Sequence, residues 1–255
     1  MHVETLGDGR PQYTIVACVH GDETCGWHAF NRFKASGLSL HEPLKFVLAN
    51  ERAFKLGYRY CDADLNRVMP GDASSDRHEA RLAARLRHEL EGTKVLDFHS
   101  TESRGGPYAV VAGGDEASFR LAHATGLDRV VDMSYMGGGV TQDVTGVAVE
   151  CGYYDDEDAA TKAHRILVNF LAAEGLIDQE PVRAVPEVYE VVGEERGRGY
   201  RFVADNFQRV ERGEVFAEKD GAPRRADTPF YPVLMSTHGY ENRIGFRARR
   251  VEVEI

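Results

Sequence analysis

The run "YTIVACVH" at residues 13–20 is unbroken in its apolar character, rich in β-branched side chains, and ends on a histidine. Such a run, bounded by polar residues, predicts a strand buried on both faces. The segment after it, "ETCGWHAFNRFKASG", has helical spacing and stops at Gly37. A second strand is predicted at "LKFVLAN" (44–50), and the polar, turn-rich stretch 51–75 with its "MPGD" predicts a long ordered loop. "SDRHEARLAARLRHELEG" (75–92) has Leu82, Leu86 and Leu90 on one face, with Ser75 as the expected cap and Gly92 as the stop. Strands are predicted at "KVLDFHS" (94–100), "PYAVVAG" (107–113), "RVVDMS" (129–134) and "GVAVECG" (146–152). Helices are predicted over "DEASFRLAHATG" (115–126) and "DEDAATKAHRILVNFLAAEG" (156–175), and the glycines at 137–139 predict a tight turn.

Strands that alternate with helices imply an α/β layered sheet covered by helices on both faces. Around Pro181 and Pro186 the period changes. Beyond residue 187 only short strand-like runs occur ("EVYEVV", "YRFVAD", "EVFAE", "YPVLMS", "FRARRVEVEI"). The expected organisation is therefore a main α/β domain over residues 1–180 and a small C-terminal β domain over 181–255.

Composition narrows the class. With 42% hydrophobic and 28% charged residues the chain has an ordinary globular make-up. No stretch approaches the length of a membrane-spanning helix, and "MHVETLGDGR" lacks the apolar core of a signal peptide, so a cytoplasmic protein is expected. The balance of 31 basic against 41 acidic residues, a net charge of −10, argues against nucleic acid as the main partner, and without a spanning stretch no membrane partner is expected. It leaves room for a small anionic ligand where a few arginines converge, and for a homo-oligomer. The four cysteines form no CxxC pair and read as reduced thiols.

The chemistry collects at strand ends. In an α/β sheet ligands bind beyond the carboxyl ends of the strands. Four predicted strands end there in loaded residues: His20 with Glu23, Asn50 with Arg52, His99, and Glu150. Two imidazoles and a carboxylate, His20, Glu23 and His99, make a catalytic zinc set with a fourth position for water. One Zn2+ per chain is expected, with Asp97 placed to hold a ligand imidazole. A lone HxxE is commonly a chance match to unrelated capping or core histidines; the second strand-end histidine and Glu150 turn the balance. Glu150 suits a general acid/base beside the metal, since one carboxylate can take a proton from water and return it to the leaving amine. Cys151, with no paired base, reads as inert. In "NERAFKLGYRYCDADLNRVMPGD" (50–72), Asn66 and Arg67 are placed to grip one carboxylate and Arg52 to stabilise an oxyanion. Arg59 reads as a surface salt-bridging residue and Asp64 as a pin for the loop.

The motifs "HGDE", "NERA…DADLNR", "DFHST" and "VAVECG", in this order, resemble the aspartoacylase/succinylglutamate desuccinylase family, itself related to the zinc carboxypeptidases. The resemblance implies a zinc-carboxypeptidase-like mixed sheet flanked by helices, with a small C-terminal β domain. It implies zinc on His20, Glu23 and His99, Glu150 as acid/base, Arg52 on the scissile carbonyl, and Asn66 and Arg67 on the substrate carboxylate. "GYENRIGF" resembles the family segment whose tyrosine reaches back to the substrate, here Tyr240. The family's arginine near the catalytic glutamate has no match in "MGGGVTQDVTGVAVE", so the acyl or side-chain pocket is expected to differ. The implied activity is zinc-dependent deacylation of an N-acyl amino acid. The alternatives are a peptidase or carboxypeptidase on the same scaffold, an ester hydrolase, or a zinc-binding module without catalysis.

Overall fold

The computed structural model describes residues 1–154, 158–239 and 242–252. Its first predicted strand is β2 (Tyr13–Ala17), buried at every position. An additional strand, β1 (His2–Leu6), precedes it; alternating exposure along a short polar run gave no apolar signal for it. Helix α1 (Cys25–Ala35) follows, then β3 (Leu44–Leu48). The stretch expected as loop contains a short helix, α2 (Glu51–Leu56), and a 3₁₀ turn at Leu65–Arg67. Both are held by side-chain caps, Asn50 accepting from Ala53 N and Asp64 from Asn66 N.

Helix α3 (His78–Leu90) starts three residues after the expected cap. Ser75 Oγ accepts from Arg77 N in the turn before it instead. β4 (Lys94–Thr101), β5 (Tyr108–Val111), α4 (Glu116–Ala124), β6 (Arg129–Asp132), β7 (Gly146–Tyr153) and α5 (Ala159–Ala173) fall where the periodicity predicts them. Gly137, Gly138 and Gly139 all have positive φ, as a tight turn requires.

The C-terminal segment forms β8 (Glu187–Arg196), β9 (Arg201–Phe202), β10 (Val215–Lys219), β11 (Ala222–Arg225), β12 (Tyr231–Val233) and β13 (Arg243–Val251). Three of these extend the main sheet, which has ten strands in the order β1-β3-β2-β4-β7-β5-β6-β8-β13-β12. β9, β10 and β11 form a small sheet of their own. The large sheet is mixed: β3, β2, β4 and β7 run parallel, β5 is antiparallel to β7, and β8 joins parallel to β6. The parallel centre is covered on one face by α1, α4 and α5, around Phe30, Phe46, Phe98 and Phe170. α3 covers the other face with Leu82, Leu86 and Leu90.

Two features bring the carboxyl ends of β2, β4 and β7 together. Gly26 lets α1 lie directly on the sheet: a Cβ there would sit 2.5 Å from Phe98 Cβ and 2.8 Å from Ala17 Cβ. Cys18, at φ +56°, turns the chain sharply as it leaves β2. The next residues, Val19 and His20, stay buried as they cross the sheet edge.

Candidate active site

His20 leaves the end of β2, Glu23 precedes α1, and His99 lies near the end of β4; all three are buried. Each offers a ligand atom within 4.8 Å of the others. Nδ1 of His20 lies 2.8 Å from Glu23 Oε1, and Nδ1 of His99 lies 2.8 Å from Glu23 Oε2. The outer nitrogens are fixed as well. His20 Nε2–H donates to Asp64 Oδ1 at 3.1 Å and His99 Nε2–H to Asp97 Oδ2 at 2.8 Å. A carboxylate can only accept, so these bonds set each ring's orientation and leave both Nδ1 atoms facing one point.

The charges favour a cation at that point. Burial disfavours the His99 imidazolium, but Asp97 and Glu23 outweigh it and hold the ring's pKa well above its ordinary value. Burial likewise opposes the Glu23 carboxylate, and the two histidines outweigh it, so Glu23 stays ionised. Asp64, against His20 and two arginines, is lowered to about 2 in spite of burial. Carboxylates that stabilise an imidazolium equally stabilise an imidazole whose Nδ1 lone pair is given to a metal ion. The donor set of two nitrogens and one carboxylate suits zinc.

Glu150 is the register partner of His99 across β4 and β7, so both side chains project from the same face of the sheet. Its Oε2 is cut off from solvent and has no hydrogen-bond partner among the described residues. Burial raises its pKa to about 7; His99 works against that rise and Glu23 adds to it. A carboxyl that exchanges its proton near neutrality, beside a cation site, is equipped for acid/base work.

The arginine at the cluster is not the one expected. Arg52 lies exposed on α2, where its charge bears on the Cys61 thiol. Arg59, itself about half exposed, is the one that meets the cluster, its Nη1 donating to Glu23 Oε1 at 2.7 Å. Gly21 makes this possible: its N–H donates to Arg59 O at 3.0 Å, and a Cβ on it would strike the backbone of Ala53, Phe54 and Tyr58. The expected surface salt bridge of Arg59 is present, but its partner is the buried Glu23 of the cluster, which no periodicity in this polar stretch signals. Asp64 does more than pin its loop, since it holds the His20 ring.

Asn66 and Arg67 sit side by side in the 3₁₀ turn. Asn66 binds the glycine turn from below, its backbone O accepting from Gly139 N and its Oδ1 from Val140 N, both at 3.2 Å. Arg67 donates its backbone N–H to Asp64 O at 2.9 Å, and its exposed guanidinium, whose charge helps keep Asp64 ionised, forms no ion pair within 4 Å among the described residues. Tyr240 lies outside the described residues.

Comparison with solved structures places the architecture. The chain superimposes on the ectoine utilization protein EutE (DoeB) from Ruegeria pomeroyi with a TM-score of 0.78 at 19% identity, covering 98% of this chain and 88% of that one. It matches succinylglutamate desuccinylase/aspartoacylase from Rhodobacter sphaeroides with a TM-score of 0.76 at 16% identity, over 98% and 89% of the two chains. For murine aminoacylase 3 the TM-score is 0.72 at 17% identity, over 96% and 97%. The shared fold is the zinc-carboxypeptidase-like mixed sheet flanked by helices.

The sequence model of the succinylglutamate desuccinylase/aspartoacylase catalytic domain matches residues 10–150, more than half of the chain, and the protein belongs to that family. A probable aspartoacylase from Prochlorococcus marinus (strain MIT 9301) is 30% identical over 121 residues, 42% of this chain. The match spans 40% of that relative's own length. No helix among the described residues is long and apolar enough to cross a membrane.

Proposed function

We propose that this protein is a zinc-dependent hydrolase that releases the acyl group from a small anionic N-acyl amino acid. The observation that carries the reading is the convergence of His20 Nδ1 and His99 Nδ1 on Glu23, with a buried carboxyl oxygen of Glu150 nearby that has no hydrogen-bond partner among the described residues. Family membership and the names of the relatives support amide hydrolysis of this kind.

His20, Glu23 and His99 would hold the ion. When bound, zinc would supply a water of pKa about 7 and a Lewis acid for the acyl carbonyl. Glu150 takes the proton of the attacking water and returns it to the departing amine nitrogen, one carboxylate serving both halves. Arg59 has N–H donors beyond the one on Glu23, and a guanidinium held at the cluster suits the negative charge that builds on the acyl oxygen. The role first assigned to Arg52 therefore passes to Arg59. Arg67 and the Asn66 amide grip the substrate carboxylate, a bidentate task for which a guanidinium is shaped.

The test is a zinc-reconstituted screen of N-acyl amino acids that varies acyl length and side-chain charge, with peptides and esters in the same assay. Turnover of N-acyl amino acids is expected. Preference for peptides or esters would replace the reading, and bound zinc with no turnover across the panel would make the protein a binding module.

A further inference from the structure

Glu79, in the first turn of α3, is fully buried and plays no part in the chemistry above. Its Oε1 accepts from Asn50 Nδ2 at 3.0 Å and from Cys61 N at 2.7 Å. Its Oε2 accepts from Asp62 N at 2.9 Å and Ala63 N at 3.1 Å. Burial works against the charge, but the three amides and Asn50 outweigh it and hold the carboxyl below its ordinary pKa.

The bonds explain how an irregular segment keeps one shape. Residues 61–63 lie in neither helix nor strand, yet three consecutive backbone N–H groups turn toward the protein and each needs an acceptor. Glu79 supplies all three. The clamp is reciprocal, since Asp62 Oδ2 accepts from His78 N at 2.7 Å at the start of the same helix. It also reaches the sheet, because Asn50 follows β3 and caps α2 through Ala53 N. Directly after the clamped amides come Asp64, which holds the His20 ring, and then Asn66 and Arg67.

Cys61, His78 and Glu79 also have potential ligand atoms within 4.8 Å of one another. The four hydrogen bonds occupy the lone pairs of both Glu79 oxygens. That leaves only a thiol and an imidazole, too few for a tetrahedral zinc site.

We propose that Glu79 is a positioning residue: by gathering the amides of residues 61–63 it sets the loop that brings Asp64 to His20, and Asn66 and Arg67 to the substrate carboxylate. The substrate half of this proposal rests on the deacylase reading; the loop half does not.

Glu79→Gln in the zinc-loaded protein tests it. The glutamine amide keeps one acceptor oxygen, so some of the four bonds must break. Expected are faster hydrogen exchange at residues 61–63 and faster zinc loss to a chelator, with unchanged circular dichroism. KM for N-acyl amino acids should rise by about ten- to a hundredfold. kcat should fall less, because Arg59 keeps its own ties to Gly21 and Glu23. A folded variant with wild-type exchange at 61–63 and wild-type KM would overturn the proposal, as would a second zinc ion per chain that the substitution removes. If the variant does not fold, exchange in the wild-type protein decides: slow exchange at 61–63 supports the clamp, and exchange at the rate of an open loop refutes it. If no N-acyl amino acid is turned over, the exchange and zinc-loss measurements still stand.

Discussion

Replacing Gly21 by alanine would place a methyl carbon 2.2 Å from Ala53 C and Phe54 N and 2.6 Å from Tyr58 O. These are backbone atoms of α2 and the turn after it, so no side-chain rotation relieves the clash. Ordinary contact begins at 3.4 Å, so the segment must retreat by about 1.2 Å. The bond from Gly21 N to Arg59 O lies on the same contact, and Arg59 is carried away from Glu23 with the segment. Overpacking of this kind costs about 1–3 kcal/mol of stability. Misplacing a catalytic donor by about 1 Å costs roughly a hundredfold in rate. The assay is kcat/KM on the best N-acyl amino acid found in the screen, with zinc content and Tm measured on the same preparation. The expected variant binds zinc, melts roughly 2–12 °C lower and loses about two orders of magnitude in kcat/KM. Wild-type Tm and kcat/KM together would show that α2 does not approach Gly21 as described, and the assignment of Arg59 would fall with it.

Glu150→Gln should keep zinc and fold while turnover falls by about 10²–10⁴-fold, measured as kcat at saturating substrate; near-normal turnover would remove Glu150 from the mechanism. Arg59→Ala should cost about 10²–10³-fold in kcat, while Arg52→Ala should leave kcat close to wild type. The reverse result would restore the expectation drawn from sequence. Burial holds the pKa values of His123 and His164 below the ordinary 6.5, and the Nε2 of each has no hydrogen-bond partner among the described residues. Their contribution to stability is complete above that value and is lost as pH falls through it toward the folded-state values, because the unfolded chain takes up protons first. Tm of the zinc-loaded protein should therefore drop from about pH 7.5 to about pH 5.5, and less steeply in a His123→Gln/His164→Gln variant. Equal slopes would refute the assignment.

His20, His99, Glu150 and Asp97 sit on or just beyond strands whose apolar runs are local and unambiguous. Strand direction alone puts such residues at one rim of a parallel sheet. His20 and Glu23 are tied by a short turn, so their proximity also follows from spacing. Arg52 and Arg59 share one polar stretch without hydrophobic period, and choosing between them needs the packing of α2 on Gly21. Glu79 reads in sequence as an ordinary polar position in the first turn of an amphipathic helix; its four bonds exist only because the fold brings residues 50 and 61–63 beneath that turn.

The same division holds for the C-terminal segment. Its strands were visible as short apolar runs, but whether they close on themselves or extend the main sheet depends on hydrogen bonds between distant residues, such as β6 with β8 and β8 with β13. The sequence by itself determined the alternation of strands and helices and the chemistry carried at the strand ends, because periodicity and residue type are local properties. Only the tertiary structure decided which arginine faces the cluster, which carboxylates orient its rings and what holds the loop beneath it. Those are contacts between segments whose meeting is set by packing and backbone pairing across the whole sheet.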